Sequence, residues 1–220
     1  MSGLLPLLLA LQGPVDGGTF VVRQDTVVLA RETFELSAVR QATASGWALA
    51  AATRYSRGPV VTLAPRLAVG PDSAPWSLEF AVVDPHEPLR ILGQASRGRF
   101  TVRTLGRRSE RAREYSLAGL TVVLDDSVFS PYLFLAWQAR PGRVVSVTAL
   151  LPRAERREAL TVEDRGIVAT TLNRDPATLH HIVVSGGANR MVNVWLDADG
   201  RLMKVDVPSR ALRIERLPPA

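Results

Sequence analysis

Along most of this chain apolar and polar residues alternate in short runs, and Gly, Pro, Asn and Asp separate one run from the next. That period of two is the signature of half-buried strands, and it recurs from Gly18 onward with almost no helical spacing. Residues 19–23 and 26–40 predict a first hairpin turning at Gln24-Asp25. In its second arm Glu32, Phe34 and Leu36 fall on one face and Arg31, Thr33, Glu35 and Ser37 on the other. Further strands are expected at 47–56, 60–69, 76–83, 89–95 and 99–105, then at 143–151, 156–163, 166–172, 180–185, 191–196, 201–207 and 212–217. Asn173-Arg174-Asp175-Pro176, Gly186-Gly187-Ala188-Asn189 and Asp197-Ala198-Asp199-Gly200 read as turns, the last with Asp-Gly supplying the positive φ of a tight hairpin loop.

One stretch breaks the alternation. Ser130-Pro131 reads as an N-cap and first helical position, and Arg140-Pro141-Gly142 as a stop. Between them Tyr132, Leu133, Phe134, Leu135, Ala136 and Trp137 leave almost no polar face, so a helix over about 130–139 must be enclosed on most sides. The expected fold is mainly β: a curved antiparallel meander sheet, a half-barrel, wrapped around one short helix. Residues 18–217 form a single β-rich domain in this reading, and residues 1–17 a signal segment or tail.

Composition narrows the function. The chain has no cysteine, which removes disulfides, thiolate chemistry and a lipid-modified cysteine from consideration. Its net charge of +6 would ordinarily suggest nucleic acid or an anionic surface. Lys204 is the only lysine among 27 basic residues, an arginine bias that fits a GC-rich genome better than phosphate binding, so nucleic acid is disfavoured. The densest charge run, 106–114, alternates in sign without an apolar stripe and suits an exposed strand edge or loop. The apolar run near the N-terminus has the length of a signal h-region and is far too short to span a bilayer. Export to the periplasm or the extracellular space is the expectation, with no transmembrane segment.

A resemblance lies in the opening Gly-Gly-Thr-Phe-Val-Val hairpin, the short aromatic helix after Asp125-Asp126, and the closing Val194-Trp195-Leu196-Asp197, Asp199-Gly200-Arg201-Leu202, Val205, Val207-Pro208, Arg213 and Glu215-Arg216. Taken in order, these segments resemble uncharacterised exported bacterial proteins of the DUF3108 and DUF6134 type, which are similar in shape to the half-barrels LolA and LolB. The resemblance implies a strongly curved antiparallel sheet closed on one side by helix. In the lipoprotein carriers that concavity takes lipid acyl chains.

Nothing catalytic stands out. Adjacent His180 and His181 on a strand point to opposite faces and cannot chelate one ion together, and His86 stands alone. Gly-x-Ser-x-Gly and phosphate-loop patterns are missing, while the paired carboxylates Asp125-Asp126 and Glu163-Asp164 precede the helix and a turn. The chain therefore reads as a non-enzyme with no cofactor and no metal site. Phe134, Trp137, Met191 and Trp195 are the candidate ligand-binding residues, in a cleft between helix and C-terminal hairpin that would take an apolar small molecule or lipid. The competing reading has the helix alone filling the concave face as ordinary core. A second function class is an interaction domain that binds an acidic envelope partner through Arg97, Arg99, Arg107, Arg108, Arg111 and Arg113.

Overall fold

The computed structural model describes residues 10–186 and 190–219, so the first half of the expected signal segment and most of the turn after Gly186 lie outside the described residues. Among the described residues fifteen strands form one sheet. In chain order they are β1 (Ala10–Gln24), β2 (Val27–Gln41), β3 (Ala44–Tyr55), β4 (Val61–Val69), β5 (Pro75–Val83), β6 (Leu89–Ser96), β7 (Arg99–Leu105), β8 (Glu110–Ser116), β9 (Thr121–Val123), β10 (Val144–Leu151), β11 (Arg156–Leu172), β12 (Asp175–Gly186), β13 (Arg190–Leu196), β14 (Leu202–Val207) and β15 (Leu212–Arg216). Their order across the sheet is β8-β7-β6-β5-β4-β3-β2-β1-β15-β14-β13-β12-β11-β10-β9. Two meanders thus meet where the first and last strands pair, Phe20 opposite Arg216 and Gln24 opposite Leu212. The sheet is not closed: β8 and β9 are its edges.

All pairings are antiparallel except β9 with β10, where Thr121–Val123 run parallel to Thr148–Leu150. A parallel pair cannot be joined by a hairpin; it needs a crossover, usually through a helix. That is why α1 (Tyr132–Ala136), the one α-helix among the described residues, sits where it does. All five of its residues are buried, and they join Phe20, Phe34, Phe80, Phe100 and Phe129 in one continuous core that draws on both meanders. No helix among the described residues is long and apolar enough to cross a membrane.

Besides β3, which begins at Ala44, and β12, which begins at Asp175 inside the expected turn, three boundaries differ from the sequence-based expectation. The first strand begins at Ala10 rather than at Thr19, because two irregularities in the β1–β2 register, before and after Pro14, carry the pairing past a stretch whose alternation is broken. Residues 156–172 are one strand rather than two. A bulge between Asp164 and Ile167, with Gly166 at φ +73°, lets β11 bend where the sequence reads as a break. The helix is the third: it starts at Tyr132, its N-cap is Pro131, and no side chain caps it. Ser130 does not act as the cap.

The work expected of Ser130 is done from a distance. Glu32, wholly buried on β2, accepts hydrogen bonds from the backbone N–H groups of Phe129 (2.8 Å) and Ser130 (2.7 Å) and from the Thr53 hydroxyl (3.0 Å). Neighbouring groups hold the rest of the crossover. Arg153 donates two hydrogen bonds to Asp125, both at 2.8 Å, Arg156 pairs with Asp126 (2.9 Å), the Tyr55 hydroxyl donates to the Ser127 carbonyl (2.9 Å), and Arg210 donates to the Asp126 carbonyl. Five separate elements therefore clamp residues 125–130 before the helix begins.

Removing a buried acceptor strands its donors, at about 1–3 kcal/mol for each unsatisfied group. Glu32→Ala is expected to lower stability by about 4 kcal/mol in urea denaturation, with Glu32→Gln losing roughly half as much because one acceptor oxygen remains. A loss under about 1 kcal/mol for the alanine variant would show that the crossover is held without Glu32.

The same carboxyl sets a pH dependence. Burial pushes Glu32 above the ordinary value of 4.5, against the Ser130 hydroxyl, the two amides and Thr53. The folded protein then binds this proton more tightly than the unfolded chain, so its contribution is complete below about pH 4.5 and is lost as pH rises through the folded value. The stability advantage of wild type over Glu32→Gln is expected to narrow as pH rises above about 4.5. An advantage that grows over that range would reverse the assignment.

Candidate binding groove

The side chains singled out in the sequence do not share one cleft. Phe134 is 1% exposed and packs edge-on against Trp137, ring centres 5.5 Å apart; Trp137 also touches Trp47 at 5.4 Å and donates to the Gly200 carbonyl at 3.4 Å. These residues belong to the core around α1, on the helix-bearing face of the sheet. Trp195 lies on the opposite face. Along β13, Val192 and Val194 turn into the core while Met191, Asn193 and Trp195 turn away from it. The concavity expected between helix and C-terminal hairpin is taken up by α1 itself.

Trp195 is nevertheless buried, for a reason that the alternation pattern could not reveal. It is stacked on His181 at 4.8 Å, and the Lys204 ammonium sits 4.6 Å from its ring centre. Lys204 in turn donates to the Thr171 carbonyl (3.2 Å) and pairs with Asp206 (3.5 Å). The β11–β12 hairpin tip folds over this patch: the Asn173 N–H donates to Glu215 and its side-chain amide to the Arg216 carbonyl. Asn173 and Arg174 both have positive φ, +52° and +77°, as a tight two-residue hairpin turn requires. Met191 remains 47% exposed beside the patch. Burial raises Asp206 above the usual carboxylate range, with Lys204 and Arg213 opposing it.

A groove of about 730 Å³ does lie on the opposite face, but across β2–β7. Strand register builds it. One row crosses from Ser37 through Ala48, Ala68, Ser77 and Gln94 to Thr101; the next crosses from Glu35 through Ala50, Arg66, Glu79 and Leu92 to Arg103. The depth comes from small side chains. Ala48, Ala50 and Ala68 stand where β-rich sequences usually carry branched residues, and Val39 closes the β2 end. The signal was present as the Ala-x-Ala alternation of residues 48–52, which reads as a strand without revealing which face is hollow.

The groove's charges are nearly all spoken for. Glu79 pairs with Arg90 (2.7 Å), Arg103 binds Glu110 (2.9 and 2.6 Å), and Glu35 accepts from the Ser37 hydroxyl at 3.4 Å. The arginine-rich edge is similarly occupied. Arg99 pairs with Glu114 (2.6 Å), Arg111 and Arg113 both reach Glu155 (3.3 and 2.9 Å), and Arg107 donates to the Pro85 carbonyl. Arg97, at φ +49°, and Arg108 lie exposed in turns. Glu155 thereby ties the free edge of β8 to the turn that follows β10.

Of the histidines, His180 contacts Asp164 at 2.6 Å and His181 contacts Asn193 at 3.0 Å. Asp164 also accepts from the Gly166 N–H, so this pair braces the β11 bulge. Among the described residues no three His, Cys, Asp or Glu side chains converge as a metal site would require.

A scan against known protein families finds no match, and neither does a search of curated proteins. Among solved structures the chain is similar to a β-barrel-like protein of the domain of unknown function DUF1849 from Brucella abortus. The TM-score is 0.54 at 11% identity, over 91% of this chain and 94% of that one. At that identity the likeness is one of fold, and the fold it supports is the β-barrel-like sheet described above.

Proposed function

We propose that this chain is a non-catalytic protein of the cell envelope that binds an apolar or lipidic chain in the groove across β2–β7. The observation that carries the reading is the groove itself: about 730 Å³, with an apolar floor of Val39, Ala48, Ala50 and Ala68 on a sheet face otherwise lined by charged pairs. Concave sites of this size with a few polar groups at the margin are where small apolar ligands are held. Burying a methylene contributes about 0.8 kcal/mol, and roughly half of that where one side of the ligand stays wet, so a chain of moderate length binds weakly after the costs of association. The apolar N-terminal run supports placement in the envelope.

Ala50 is exposed at the centre of the floor, so a large side chain there fills the groove without entering the core. Ala50→Trp is expected to weaken binding of the neutral fluorescent probe N-phenyl-1-naphthylamine at least about tenfold, while Ala169→Trp, at an exposed position on β11, leaves it unchanged. Equal affinity in both variants, or no binding to wild type, would overturn the proposal.

A further inference from the structure

Resting on that reading, the division of the groove into an apolar and a hydrogen-bonding half points to its ligand class. We infer that it takes a single-chain amphiphile with an uncharged, hydroxyl-bearing head, its tail over β2–β4 and its head over β5–β7. The row Ser37–Ala48–Ala68–Ser77–Gln94–Thr101 changes character between β4 and β5. On the β2–β4 side Val39, Ala48, Ala50 and Ala68 outnumber the polar Glu35, Ser37 and Arg66; on the β5–β7 side Leu92 stands alone among Ser77, Glu79, Gln94, Thr101 and Arg103. Neither the Ser77 nor the Thr101 hydroxyl has a side-chain hydrogen bond among the described residues. The Gln94 amide nitrogen donates to the Trp76 and Ala95 carbonyls, which leaves its carbonyl oxygen to accept. A ligand head laid here meets two hydroxyls and a carbonyl, a set that both donates and accepts.

Charge decides against an ionic head. The groove carries Glu35, Arg66, Glu79 and Arg103, two of each sign, and Glu79 and Arg103 are already paired with Arg90 and Glu110. Glu35 and Arg66 flank Ala50 in one register row, so they leave no net field for a carboxylate, phosphate or ammonium to follow. A head of either sign at the hydroxyls would meet both Glu79 and Arg103, each already neutralised by its own partner. The apolar half spans two interstrand spacings, about 10 Å, which favours a tail of medium length.

Calorimetry with four ten-carbon probes tests this: 1-monodecanoylglycerol, decanol, decanoate and decyltrimethylammonium. The glycerol ester is expected to bind at least about tenfold tighter than either ion. In the variant carrying both Ser77→Ala and Thr101→Val the ester should weaken at least about fivefold, and decanol, with its single hydroxyl, by less. If decanoate or the ammonium binds as tightly as the ester, or the double variant leaves the ester unaffected, the head-group inference fails while the groove reading stands. If none of the four binds, both fail. Ala50→Trp should abolish binding of every probe that does bind; a probe that survives it sits elsewhere, and the orientation inferred here is then wrong.

Discussion

The structure depends on a carboxyl group placed where an apolar side chain would be expected. Glu32 points into the core from β2 and binds the backbone of Phe129 and Ser130, 97 and 98 residues later. Buried N–H groups without partners are costly, and a helix of five residues without a side-chain cap offers none of its own. A short helix with so few internal hydrogen bonds is not stable alone. The Glu32 contact turns that weakness into a fixed connection, because it pins the start of the crossover to the centre of the first meander.

Around that contact the topology follows from one unusual pairing. Had β9 paired antiparallel with β10, a hairpin would have sufficed and the chain could have remained a plain meander. The parallel pairing sends residues 124–143 through the concavity, and the segment 132–137, apolar nearly all round, is suited to pass there. Enclosure by the sheet and filling of the sheet are thus one event. The cost is that the interior is spent on packing, since α1 and the phenylalanines of β1, β2, β5 and β7 occupy it together.

Strand positions were legible in the sequence wherever alternation ran unbroken, as in β2, β5, β6 and β7. So were the apolar helix and the role of the charge run as a sheet edge. The failures share a cause: each involves a partner remote in sequence. Ser130 reads as a cap because local spacing is all that a sequence displays, whereas the donors find Glu32. Trp195 reads as lining a cleft beside the helix because its strand is apolar on both faces, whereas it lies on the other face and a hairpin tip supplies its cover. The groove was not legible, because a row of alanines becomes a hollow only once register sets Ala48 beside Ala68 and Ala50 beside Arg66.

Register also explains why the opposite face carries two different surfaces. Over β12–β15 its large side chains, Trp195, His181 and Lys204, would stand exposed, and the long β11–β12 hairpin bends at its bulge to cover them. Over β2–β7 the side chains are small or paired with neighbours in the sheet, so no segment of chain is needed to shield them. Covering a face costs ordered backbone, about 1–2 kcal/mol per residue, and is sustained only where enough apolar surface is removed from water in return. Alanines return too little. The hollow over β2–β7 therefore stays open, and its apolar floor lies available to a ligand that brings its own apolar surface.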